Sequence, residues 1–187
     1  CHGRGIGRRS RQLRPAEVKI MSDTLTNRTF DQLQIGERAT LSRTLHREDI
    51  SLFAALSQDT SPVHLDAAFA AGGPLGHIVA HGMWTAGLVS ALIGARLPGP
   101  GAVSLEQRIR YLSPVAPGDT ITSAVEVTEL IAGTRHVRLA TVCTNQRGEK
   151  VLEGEALVIA PGAHVTWTAG RLPETVIRHP GRYQGFV

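Results

Sequence analysis

Asp59 and His64 stand five residues apart in the run Gln58-Asp59-Thr60-Ser61-Pro62-Val63-His64-Leu65-Asp66. A carboxylate and a neutral imidazole that converge on one water molecule can polarise it and return a proton. This is the general acid–base work needed to add water across a double bond. Pro62 stiffens the turn between the two groups and pushes Ser61 out of the helical region. A D-x4-H pair is common, and its simpler explanation is structural: Asp59 caps the turn through backbone N–H groups and His64 packs at a strand edge. His77 and His81 stand four apart and invite a metal reading with His64 or Asp66, but Gly76 and Gly82 bracket them at a loop-to-helix junction rather than on a helix. No metal is expected, and His81 is read as fixing the turn at the helix start.

The elements that must position these groups follow from periodicity. Residues 39–45 read as a strand and 47–58 as a helix, with Glu48 and Asp49 in its first turn and Ile50, Phe53 and Ala54 as its apolar stripe. That helix has to stop near Asp59, leaving 59–65 as an ordered turn. Asp66 can cap a short helical piece over 67–71. Residues 81–96 form the longest helix. Met83, Trp84, Leu88, Val89, Leu92 and Ile93 place apolar groups almost all round it, so other elements must wrap it. Strands follow at 102–115, 120–131, 136–145 and 150–160, with turn signals at Pro117-Gly118-Asp119, Ala132-Gly133 and 145–148. About five antiparallel strands curved around one apolar helix make the class α+β.

Composition bounds the rest. The chain has 187 residues, 42% hydrophobic and 19% charged, which is enough for one well-buried core. Its formal charge of +4 is uneven: residues 1–20 hold six Arg/Lys and one Glu, leaving fourteen basic against fifteen acidic residues beyond them. The folded part is near neutral, which argues against a nucleic-acid partner, and no stacked aromatic platform or phosphate-binding glycine motif is present. No apolar run reaches the roughly 18–20 residues of a membrane span. Two cysteines, Cys1 and Cys143, without paired spacing, favour a reducing, cytoplasmic setting. Residues 1–20 are expected to be a disordered basic tail or sequence upstream of a start at Met21, 21–160 the folded domain, and 161–187 an extended C-terminal tail.

The run over 56–71 resembles the hydratase motif of the MaoC-like, (R)-specific enoyl-CoA hydratases, in which Asp, Pro and His occur at this spacing ahead of a short Asp-initiated helix. The likeness continues through 78–83, 98–101, Tyr111-Leu112-Ser113-Pro114-Val115 and Gly118-Asp119, covering about 27–160. It is particularly similar to the hydratase domain of bifunctional enoyl-CoA hydratase/phosphate acetyltransferase proteins, with only the hydratase part matched. The resemblance implies a hot-dog fold, a curved sheet around a long central helix. It also implies reversible hydration of trans-2-enoyl-CoA to (R)-3-hydroxyacyl-CoA, with Asp59 and His64 activating water and the Gly82 N–H as oxyanion donor. That last role fits a helix start, where the first N–H groups lack intrahelical partners at the positive end. Ser90 and Ile93 are implied at the acyl site, with Ser61 in the substrate loop. The family usually has Gly before the catalytic Asp and Asn two residues after it, where this chain has Gln58 and Ser61.

The substrate would carry coenzyme A and no cofactor is implied. The expected assembly is a homodimer or dimer of dimers. Two rivals stay open: another hot-dog enzyme (a thioesterase or an acyl-carrier-protein dehydratase), and a non-catalytic acyl-thioester binding module.

Overall fold

The structure is a computed structural model, and it describes residues 24–168. The expectations for 1–20, and for the part of the C-terminal tail beyond 168, lie outside the described residues. Five strands form one antiparallel sheet: β2 (Arg38–Thr44), β3 (Val103–Tyr111), β4 (Thr120–Ile131), β5 (His136–Thr144) and β6 (Lys150–Ile159), in the order β2-β4-β5-β6-β3. Helix α1 (Arg47–Ser57), the single turn α2 (Pro62–Leu65) and α3 (Ala67–Gly72) precede the central helix α4 (Gly82–Ala95). The helix and strand expectations agree with these elements to within a few residues at each end. One exception is the turn at 59–65, whose second half closes into α2 with Pro62 at its first position, a place that needs no N–H.

The sheet's inner face is alternately apolar. Ile121, Val125 and Val127 on β4, Val137 and Leu139 on β5, and Ala156 and Val158 on β6 are buried with Val89 and Leu92 of α4. The sheet closes tightly at Gly154: a Cβ there would run into the backbone carbonyl of Arg108 on β3, so only glycine fits. The expected wrapping of α4 is incomplete. Trp84, Thr85, Ala86, Leu88, Val89, Leu92 and Ile93 are buried, whereas Met83, Gly87, Ser90, Ala91 and Gly94 are exposed along one side. Five strands curve around only part of a helix, and β3, at the sheet edge, is exposed over most of its length, including Val103, Leu105 and Tyr111.

A small second sheet was not legible in the sequence. β1 (Thr24–Thr26) pairs antiparallel with β7 (Thr166–Thr168), so residues 161–168 are tied to the domain rather than trailing from it. Asn27 is fully buried and secures this clamp. Its side-chain amide donates to the carbonyls of Pro100 (3.0 Å) and Ala163 (2.9 Å), and its Oδ1 accepts from the Val165 N–H (2.9 Å).

Candidate active site

The site is built where α1 ends against the start of α4. Gln58, after the last turn of α1, takes a left-handed conformation with φ 61°. This reverses the chain and delivers Asp59. The Asp59 carboxylate divides its labour: Oδ1 accepts from the Ser61 N–H at 3.2 Å, closing a turn, while Oδ2 lies 4.0 Å from His64 Nε2 and 4.0 Å from His81 Nε2. Oδ1 thus closes the turn as the simpler explanation expects, and Oδ2 is left facing the two imidazoles. A separation of 4.0 Å is too long for a direct hydrogen bond and suits two groups sharing one water.

His64 sits on α2 and is largely buried, its side chain 13% exposed. Its Nδ1 is 2.8 Å from the carbonyl of Val79. A carbonyl only accepts, so Nδ1 carries the proton and Nε2 presents a lone pair toward Asp59. Val79 is itself held in place, because the next residue, Ala80, donates its N–H to Val115 at 2.7 Å. The short Asp66-capped helix α3 follows as expected, with Asp66 Oδ1 accepting from Ala68 N–H (2.9 Å) and Phe69 N–H (3.0 Å).

Gly82 is the first residue of α4, and its N–H has no hydrogen-bond partner among the described residues. It faces the positive end of a 14-residue helix. The space above its Cα is not open, however. A Cβ at Gly82 would lie 2.9 Å from Cε1 and Cζ of Tyr111. Glycine is required here for close packing against Tyr111, and the same position leaves the N–H of the helix start unpaired. Tyr111 donates its hydroxyl to Met83 Sδ at 3.3 Å, and burial raises the Tyr111 phenol above its ordinary value. Beside Gly82 opens a cavity of about 300 Å³, lined mainly by Leu75, Thr85, Tyr111, Leu112 and Val151.

Of the remaining expected site residues, Ser61 forms the N-cap of α2 and supports the Asp59 turn through its N–H. Ser90 lies on the uncovered side of α4, and Ile93 is enclosed in the core; neither lines the cavity at Gly82. Sequence reasoning passed over Tyr111, Leu75 and Thr85. Tyr111 opens the Tyr-Leu-Ser-Pro-Val run, and an aromatic at a strand end beside a Pro-stiffened loop was the available signal.

His77 takes no part in the cluster. The residues whose ligand atoms gather within 4.8 Å are Asp59, His64 and His81. His81 Nε2 lies 3.0 Å from the backbone carbonyl of Asp59, so that nitrogen is a donor and not a free ligand. A metal ion would have to displace this bond, and only His64 Nε2 and the carboxylate are ready to bind one.

An imidazole nitrogen and a carboxylate 4.0 Å apart, with the free N–H of a helix start one residue beyond His81, are groups that can move protons on water and favour negative charge. The sequence places the chain in a known family. The MaoC like domain model matches residues 31–147, and the chain belongs to that family. It is 41% identical over 142 residues to the (R)-specific enoyl-CoA hydratase of Rhodospirillum rubrum, covering 76% of this chain and 98% of the relative. It is 45% identical over 132 residues to the 3-hydroxybutyryl-CoA dehydratase of Methylorubrum extorquens, covering 71% and 83%. Among solved structures, the unliganded R-hydratase of Pseudomonas aeruginosa superposes with a TM-score of 0.79 at 38% identity, covering 83% of this chain and 99% of that one. The fold is the hot-dog fold that the resemblance implied.

Proposed function

We infer that this chain is a hydro-lyase that reversibly hydrates trans-2-enoyl-CoA to (R)-3-hydroxyacyl-CoA. The observation that carries this reading is the 4.0 Å separation of Asp59 Oδ2 and His64 Nε2, at which one water seated beside the two atoms can hydrogen-bond to both. Water held there gives up a proton to the pair as its oxygen bonds to C3; the C2–C3 π electrons move toward the thioester oxygen, and a proton returned from the pair ends on C2. The thioester oxygen gains negative charge in the transition state, and the Gly82 N–H at the helix start is the donor that favours it. In the reverse direction the same groups expel water.

In this reading Ser61 stiffens the loop. Ser90 and Ile93 stand about two and three turns beyond Gly82 on α4, the first exposed and the second in the core, and a contact of either with the acyl chain would lie outside the cavity at Gly82. No cofactor is needed in this reading, because the Asp59–His64 pair moves the protons and the Gly82 N–H takes the developing negative charge. The exposed edge of β3 and the bare side of α4 support a homodimer or a dimer of dimers, since an unpaired strand edge with exposed Val103, Leu105 and Tyr111 is costly to leave in water. No helix of the described residues is long and apolar enough to cross a membrane, and the buried free thiol of Cys143 suits a reducing cytoplasm.

The test is to follow the conjugated absorbance of crotonyl-CoA on adding the protein. Loss of absorbance with formation of 3-hydroxybutyryl-CoA is expected. Release of free CoA would instead make the chain a thioesterase, and binding without turnover would make it an acyl-thioester binding module.

A further inference from the structure

His81 is nearly inaccessible, 3% exposed, yet nothing in the proton transfers assigned above uses it. Three contacts set its surroundings, besides the Asp59 Oδ2 that lies 4.0 Å from its Nε2. Its Nε2–H donates to the backbone carbonyl of Asp59 at 3.0 Å. Its ring lies against that of His64, with centroids 3.9 Å apart and planes tilted 30°. Its far side meets the ring of Phe53 on α1, centroids 5.0 Å apart. Its backbone is the N-cap of α4, so the next N–H is that of Gly82.

One atom of His81 is unsatisfied. Nδ1 is buried without a hydrogen-bond partner. A proton there would be a buried donor with no acceptor, which costs about 1–3 kcal/mol, so the ring is held as the Nε2–H tautomer. That tautomer is the one that can grip the Asp59 carbonyl. The imidazole side chain is thus oriented by what it lacks on one edge as well as by what it bonds on the other.

We propose that His81 is a positioning residue for the hydration reaction, which rests on the hydratase reading above. It fixes Asp59 through a backbone bond and His64 through ring contact. Both are thereby registered against Gly82, to which His81 is covalently joined. Asp59 lies on a turn whose side chain is half exposed, and without this bond the turn relies on the hydrogen bonds of Ser57 and Ser61 alone. A catalytic group displaced by about 1 Å loses on the order of a hundredfold in rate, so a residue that sets the spacing acts on kcat more than on substrate binding.

The test compares His81→Phe with His81→Gln in the full chain. Phenylalanine keeps the ring contacts and removes the donor; glutamine restores an N–H near the position of Nε2. In His81→Phe, kcat for crotonyl-CoA is expected to fall about 30- to 100-fold with KM within about threefold of wild type, and in His81→Gln to recover most of that loss. Amide hydrogen exchange over residues 59–66 is the second readout, with up to about tenfold faster exchange in His81→Phe and recovery in His81→Gln. The proposal is overturned if His81→Phe keeps wild-type kcat and exchange, or if only KM moves. It is equally overturned if the two variants lose activity alike, or if both merely unfold while the folded fraction keeps full specific activity. Should the wild type fail to hydrate crotonyl-CoA, the functional reading fails, while the exchange comparison still decides whether His81 holds the loop.

Discussion

The Asn27 clamp beside the C-terminal end of α4 and the side-chain cluster at its N-terminal end use their polar groups in opposite ways. Asn27 spends its whole side chain on Pro100, Ala163 and Val165. At the N-terminal end, the Gly82 N–H is free, His81 Nδ1 has no partner, and Asp59 and His64 stop 4.0 Å short of each other. An unpaired buried group costs stability wherever it stands, at His81 Nδ1 and equally at Arg96 Nε at the other end of the helix. What sets the N-terminal end apart is that a half-exposed carboxylate, an imidazole nitrogen and a free backbone N–H gather there. The Asn27 clamp ties the fold together; the N-terminal cluster is where the proposed reaction puts its water and its thioester.

The sharpest way to break this contrast is to remove the chemistry from the N-terminal cluster. Asp59→Asn and His64→Ala should each lower kcat for crotonyl-CoA by about 10²- to 10⁴-fold. The thermal midpoint of each variant should stay within a few degrees of wild type, because the Oδ1 of asparagine can still accept from Ser61. The double variant should be little worse than the worse single, since the two groups act as a unit. Losses that simply multiply would mean that the groups work independently.

Gly82→Ala comes next. The added methyl must displace the Tyr111 ring, which overpacks the site at a cost of about 1–3 kcal/mol. It should also lower kcat on the order of a hundredfold by moving the helix start. Adding Tyr111→Ala should return most of the lost stability, measured by denaturant unfolding. If the second change restores nothing, Tyr111 is not what the methyl meets.

At the Asn27 clamp the readouts should exchange places. Asn27→Ala leaves the carbonyls of Pro100 and Ala163 and the Val165 N–H without partners, and should cost about 1–3 kcal/mol in unfolding free energy. The helix is about 20 Å long, so the site lies far from the change, and kcat should stay within about twofold of wild type. A large fall in kcat would mean that the two ends communicate and that the contrast is false.

What could be read from the sequence divides along a related line. The strands, α4 and the Asp66 cap were legible because each rests on local signals, namely alternation, helical period and a capping side chain next to the backbone it serves. The convergence of Asp59 and His64 was legible through the family pattern, since a D-x4-H pair carries little weight alone. The β1–β7 pair and the Asn27 clamp were hidden because their partners lie about 140 residues apart, and three-residue strands have no period to detect. The contact of Tyr111 with Gly82 was hidden for the same reason. His81 was read as fixing the helix start, and the structure adds which groups it touches, the Asp59 carbonyl and the His64 ring, which spacing could not supply.

Gln58 is the finest test, because there a departure from the family meets a geometric demand. Relatives usually carry glycine before the catalytic Asp, and this chain holds φ 61° at that position with a side chain in place. A left-handed conformation costs an ordinary L-residue about 1–2 kcal/mol, whereas glycine adopts it freely and pays instead in unfolded-state entropy. Gln58→Gly should therefore raise stability by only about 0.5–1 kcal/mol, read as a small upward shift in denaturant midpoint. Turnover should change little, because φ is already set where glycine would set it, and Asp59 stays where it is. A fall in kcat would show that the glutamine side chain holds the loop in ways its backbone does not. Unchanged stability would show that the strain at 58 is already offset by the contacts of Asp59 with Ser57 and Ser61.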